Sequence, residues 1–157
     1  MKLNSYNFLL GLAFASAVIA PATHAEIVIH GTRVIYPSDA REVTLQVSNN
    51  GSKPALVQAW IDEGDPKSTP DQSKVPFMIA PPISRVEATK SQTLRITALP
   101  NASQLNQKQE TVLWLNILDI PPRPTSKSED TTPDNFLQLA IRSRIKFFYR
   151  PSSIKED

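Results

Sequence analysis

The 157-residue chain contains no cysteine. No disulfide can staple the fold, and no thiol is available as a nucleophile or metal ligand. Histidine is nearly as scarce, with only His24 and His30. A zinc site usually takes about three or four His, Cys or acidic ligands close together, and the sequence clusters none. Also missing are a nucleophile elbow, a phosphate-cradling glycine loop and a paired-carboxylate motif. These gaps argue against an enzyme and imply no cofactor. Basic charge is not in surplus either, at 17 Lys and Arg against 15 Asp and Glu. That balance argues against nucleic acid as a partner.

Long apolar runs are absent after the first 25 residues, so no segment predicts membrane insertion. The one early run is Phe8 to Ala20, preceded by Lys2 and followed by Thr23-His24-Ala25. A short positive start, an apolar centre and a small-residue site predict a secretory signal peptide over residues 1–25. An anchor would need about 20 apolar residues, and Pro21 comes too early. The mature chain from Glu26 has 132 residues, enough for one domain with a core of its own. With no disulfide, buried apolar area must stabilise it.

No segment keeps a helical period and no internal repeat is visible. Short alternating runs separated by turn residues fill the chain instead. Ile27–Ile29 and Val34–Tyr36 flank Gly31. Val43, Leu45 and Val47 share one face of the next run, which Asn49-Asn50-Gly51 ends. Residues 54–62 follow, with Trp60 as the largest core candidate. Asp62 to Lys74, rich in Pro and charge, reads as a surface loop. Val75–Ala80 stops at Pro81-Pro82, residues 83–88 are extended, and 92–99 and 110–120 alternate again. Pro121 to Asn135 carries four prolines and reads as a flexible loop. Seven or so short strands in this spacing predict an all-β, immunoglobulin-like β-sandwich.

The last run, Asn135 to Pro151, is the longest. Leu137, Leu139, Ile141, Ser143, Ile145, Phe147 and Tyr149 fall on one face, and Arg142, Arg144 and Lys146 on the other. Fully extended, its alternating part from Leu137 to Tyr149 would reach roughly 40 Å, well beyond an ordinary strand. A strand longer than its neighbours leaves an unpaired edge, which is an aggregation hazard or a docking surface. Five of the sixteen basic residues of the mature chain lie between Arg142 and Lys155. His30 reads as a surface residue.

These residues together resemble a family, the periplasmic chaperones of the chaperone–usher pilus pathway. The resemblance rests on Thr32-Arg33-Val34-Ile35-Tyr36, Gln58-Ala59-Trp60-Ile61 and Pro81-Pro82-Ile83-Ser84-Arg85-Val86. It rests also on Asn116 to Pro122 and the closing stretch Gln138 to Pro151. It covers residues 26–151 as the family's N-terminal domain, with 152–157 matching the start of a linker to a second domain. The resemblance implies a periplasmic protein that binds pilus subunits, which are sandwiches lacking one strand, and passes them to an outer-membrane usher. It implies that the last strand is donated through Leu137, Leu139 and Ile141. Arg33 and Lys146 would hold the subunit's terminal carboxylate, and Glu110 and Arg150 match a salt bridge between the two domains. Strict alternation puts Lys146 on the face opposite Leu137. Either the strand twists or bulges between them, or anchor and donors use different faces. An inactive chaperone remnant and a structural pilus-like subunit are the alternative readings.

Overall fold

A computed structural model describes residues 26–122 and 138–154 of the protein. The expected signal peptide, nearly all of the proline-rich loop and Leu137 therefore lie outside the described residues.

Among the described residues nine strands form in order: β1 (Ile27–Ile29), β2 (Arg33–Pro37), β3 (Val43–Asn49), β4 (Ala55–Asp62), β5 (Phe77–Ala80), β6 (Ile83–Val86), β7 (Ser91–Ala98), β8 (Thr111–Ile120) and β9 (Ile141–Arg150). They build two sheets, in the orders β1-β3-β7-β5 and β2-β9-β8-β4-β6. Two chain passes each divide between the sheets, which reconciles nine strands with the seven or so read from the sequence. The first crosses from β1 to β2 through Gly31, whose φ of 149° suits a residue without a Cβ. The second crosses from β5 to β6 at Pro81-Pro82. Proline has no N–H to give a ladder, so pairing on one sheet stops there and resumes on the other.

Period-two alternation decides which residues face inward. Leu45, Val47, Leu94 and Ile96 from one sheet meet Val57, Ile61, Leu115, Ile117 and Phe147 from the other, all buried. Tyr36, Phe77, Phe147 and Tyr149 form an aromatic cluster with ring centroids 4.8–6.5 Å apart. The wholly buried Tyr36 hydroxyl stays satisfied. It donates towards the Ala40 and Arg41 carbonyls at 3.0 and 3.1 Å, and accepts the Ala98 N–H at 3.0 Å. Buried Asn49 fastens its own turn, donating to Lys53 O and Val86 O and accepting from the Gly51 N–H.

Trp60 corrects one sequence expectation. It is buried, yet its even position in β4 points it away from the core cluster and out from the five-stranded sheet. The loop after β4 is not simply a surface excursion either. It folds back on Trp60 and buries Ser68, whose hydroxyl accepts the indole N–H at 3.2 Å.

Candidate functional site

β9 has different neighbours along its length. On one side it pairs antiparallel with β8 from Thr111↔Tyr149 to Asp119↔Ile141, without a break in register. On the other it pairs parallel with β2, from Arg33↔Lys146 to Pro37↔Arg150. Before Arg33 the chain has already left for the other sheet. Residues 141–145 thus have β8 on one side and, among the described residues, no strand on the other. An unpaired row of N–H and C=O groups remains there.

The unbroken register answers the question of faces. No bulge intervenes between Ile141 and Tyr149, so Lys146 faces outward while Ile141 shares the inward-facing parity of Ile145 and Phe147. Lys146 and Ile141 therefore occupy opposite faces of one strand. Phe147 and Tyr149 are buried, whereas Ile141 is 56% exposed and Leu139 62% exposed. The inward face runs past the end of its own core.

Arg33 and Lys146 are register partners on adjacent parallel strands, at the point where the unpaired edge begins. Neighbouring strands lie about 4.8 Å apart and partners share a face, which sets the two cations side by side. Both side chains are exposed. Neither forms an ion pair among the described residues. Two adjacent cations without a counter-charge present a local attraction for an anion, and a guanidinium beside an ammonium matches a carboxylate well. Glu110 and Arg150 meet within this domain, with Arg150 Nε donating to Glu110 Oε1 at 2.5 Å, both partly exposed.

The sequence reading did not anticipate the cluster beside this pair. Arg142 and Arg144 both bind Asp62, at 3.3 and 3.0 Å. Asp62 Oδ1 also accepts the Gly64 N–H, and Oδ2 accepts from Ser68 Oγ and Asn116 Nδ2 at 2.5 and 2.7 Å. The guanidiniums of Arg142 and Arg144 lie 4.6 and 4.9 Å from the ring centroids of Trp60 and Trp114. Burial would raise the pKa of Asp62, but the Ser68 hydroxyl, the Gly64 N–H, the Asn116 amide and the Arg144 charge together hold it below the ordinary value. The signal was in the sequence: Trp60, Asp62, Trp114, Asn116, Arg142 and Arg144 all take the outward parity of their strands.

His30 is exposed and its Nε2 lies 2.7 Å from Ser48 Oγ. Among the described residues no group of three or more His, Cys, Asp or Glu could hold a metal ion. No helix there is long and apolar enough to cross a membrane.

Comparison with known proteins identifies the family of the fold. The family model for pili and flagellar-assembly chaperones, PapD N-terminal domain, matches residues 26–155. The chain is 46% identical over 147 residues to the chaperone protein FimB/FhaD of Bordetella pertussis, covering 92% of this chain and 58% of that protein. It is 48% identical over 142 residues to the chaperone protein MrkB of Klebsiella pneumoniae, covering 90% and 60%. Among solved structures, the Pseudomonas aeruginosa CupB2 chaperone superposes with a TM-score of 0.67 at 41% identity, over 82% of this chain and 57% of that one. A structure of Salmonella enterica SafA pilin in complex with the SafB chaperone gives 0.69 at 32% identity, over 86% and 59%. The chain thus spans about three-fifths of the length of the curated relatives it matches. Their family is one of assembly chaperones, not of enzymes. This chain belongs to the pili and flagellar-assembly chaperones, over their PapD N-terminal domain.

Proposed function

We propose that this domain is a periplasmic chaperone module that captures pilus subunits by adding the open edge of β9 to an incomplete client sandwich. Residues 1–25 serve as the signal peptide, 26–151 form the capturing domain, and 152–157 begin a linker to a second domain. Leu137, Leu139 and Ile141 enter alternate pockets of the client while main chain pairs with main chain. Arg33 and Lys146 grip the client's terminal carboxylate, and the client then passes to an outer-membrane usher. Glu110 and Arg150 stand where a bridge to the second domain would form.

One observation carries this reading. The unpaired stretch of β9 ends at the register pair Arg33↔Lys146. A strand laid along that edge with its C-terminus at the pair would have its backbone, its apolar neighbours and its charge answered together. Fixing the chain end also fixes register, which an alternating pattern alone leaves open to slippage. The identified complex of a related chaperone with a pilin is consistent with such a client.

The test is capture of a pilus subunit, co-expressed in a periplasm and recovered by pull-down. Hydrogen bonds to charged groups contribute about 1.5–3 kcal/mol. Arg33→Ala should therefore weaken capture by roughly tenfold to hundredfold without unfolding the domain. Leu139→Asp should abolish capture. Normal subunit yield with both variants would overturn the reading.

A further inference from the structure

The half of β9 that lacks a second neighbour ought to be the least ordered part of the sheet. A stretch bonded on one side only opens at low free-energy cost, and an edge that frays must be ordered again each time it binds. Residues 141–145 are nevertheless tied down from the outward face. The Arg142 guanidinium donates from Nε and Nη2 to Asn116 Oδ1 at 2.9 and 2.7 Å. Its Nη2 also reaches Ser68 Oγ at 3.0 Å, and Nη1 donates to the carbonyls of Pro66 and Ser68 at 2.7 and 3.1 Å. Two residues on, Arg144 Nη2 donates to Asp62 Oδ1 at 3.0 Å. Asp62 joins both arginines to Ser68 and Asn116, so one buried carboxylate gathers β4, β8, β9 and the loop after β4.

Resting on the strand-addition reading, we propose that Asp62 and Arg142 are positioning residues. They brace residues 141–145 in the extended form an incoming client strand requires. The brace acts wholly from the outward face. It leaves Leu139 and Ile141 exposed on the other face and leaves the backbone edge uncovered. Restraint is thereby supplied without occupying any surface a client would touch. Arg142 suits this work through its planar fork, which meets side-chain and backbone acceptors from several directions at once. A lysine ammonium on the same stem would keep the charge and lose that geometry.

The experiment is backbone amide exchange of the protein and of Asp62→Asn and Arg142→Lys, paired with capture of a pilus subunit. Exchange at residues 141–145 should quicken about tenfold or more in both variants, while the opposite sheet, at β3 and β7, keeps its protection. Capture should weaken alongside. Unchanged exchange at 141–145 overturns the brace. So does a uniform rise across both sheets, which is what a merely structural role would produce. Should Asp62→Asn fail to fold, Ser68→Ala removes a single hydroxyl from the network and takes its place. Normal capture by Arg33→Ala and Leu139→Asp would sink strand addition itself, while the exchange arm would still decide whether the brace exists. Faster local exchange with undiminished capture would remove the positioning role.

Discussion

Asp62 and Asp119 sit in two strands of the same sheet and face opposite ways, one outward from β4 and one inward from the end of β8. Asp62 is 4% exposed and its two oxygens receive five donors, among them two guanidiniums. Asp119 has the Ile27 backbone N–H and the like charge of Glu26 nearby, and its Oδ1 is buried without a partner. Burial first and Glu26 second push the Asp119 carboxyl above its ordinary pKa, against the Ile27 N–H. A buried and a half-buried carboxylate thus have opposite electrostatic fates. What differs is whether the surrounding strands supply enough donors to replace the lost water. The outward face does so because β8, β9 and the loop after β4 each contribute donors there. The inward end of β8 has mainly apolar neighbours and one backbone N–H.

The largest expected effect breaks the favourable member of this pair. Asp62→Ala strands two partly buried arginines, and removing one partner of a buried ion pair costs about 3–5 kcal/mol. Urea unfolding should show the midpoint falling with an unchanged slope. A loss below about 1 kcal/mol would mean the network adds little beyond a surface pair. The reverse change at the other member should be smaller and of opposite sign. Asp119→Asn removes a half-buried charge with an unsatisfied oxygen and should stabilise the domain by about 0.5–1 kcal/mol at neutral pH. Destabilisation in the same assay would show that this carboxylate has a partner that only ionised Asp satisfies.

The smallest effect lies in the shape of stability against pH. Asp62 titrates below its unfolded value, so its contribution is present above about pH 3.9 and is lost as the pH falls through its own lower pKa. Asp119 titrates above its unfolded value, so its contribution is fully present below about pH 3.9 and is lost as the pH rises through its raised pKa. Acidification from neutral should therefore bring a slight gain before the loss. In Asp119→Asn the gain should vanish while the acid loss persists. A monotonic fall in the unmodified protein would contradict the assignment for Asp119.

Much of this was legible in the sequence, because a strand reports its two faces directly. Val43, Leu45 and Val47, or Leu113, Leu115 and Ile117, announce an inward face by spacing alone, and all but the edge residue Val43 are buried. Prolines and Gly31 marked where chain passes change sheets. Trp60 was misassigned to the core because size and hydrophobicity suggest burial without saying on which side. The counter-charge of the basic face of β9 went unread because Asp62 lies 80 residues away from Arg142.

By itself the sequence determined an all-β chain and the partition of each strand into two faces, while Arg33, Lys146, Leu139 and Ile141 were singled out only by the family resemblance. The two faces follow from local spacing, which every strand imposes on its own side chains. Only tertiary structure decided that β2 begins opposite Lys146 and, among the described residues, leaves 141–145 one neighbour short. It alone also brought Asp62, Asn116 and Ser68 under Arg142. Register between distant strands depends on how two sheets share one core, and no single strand carries that information.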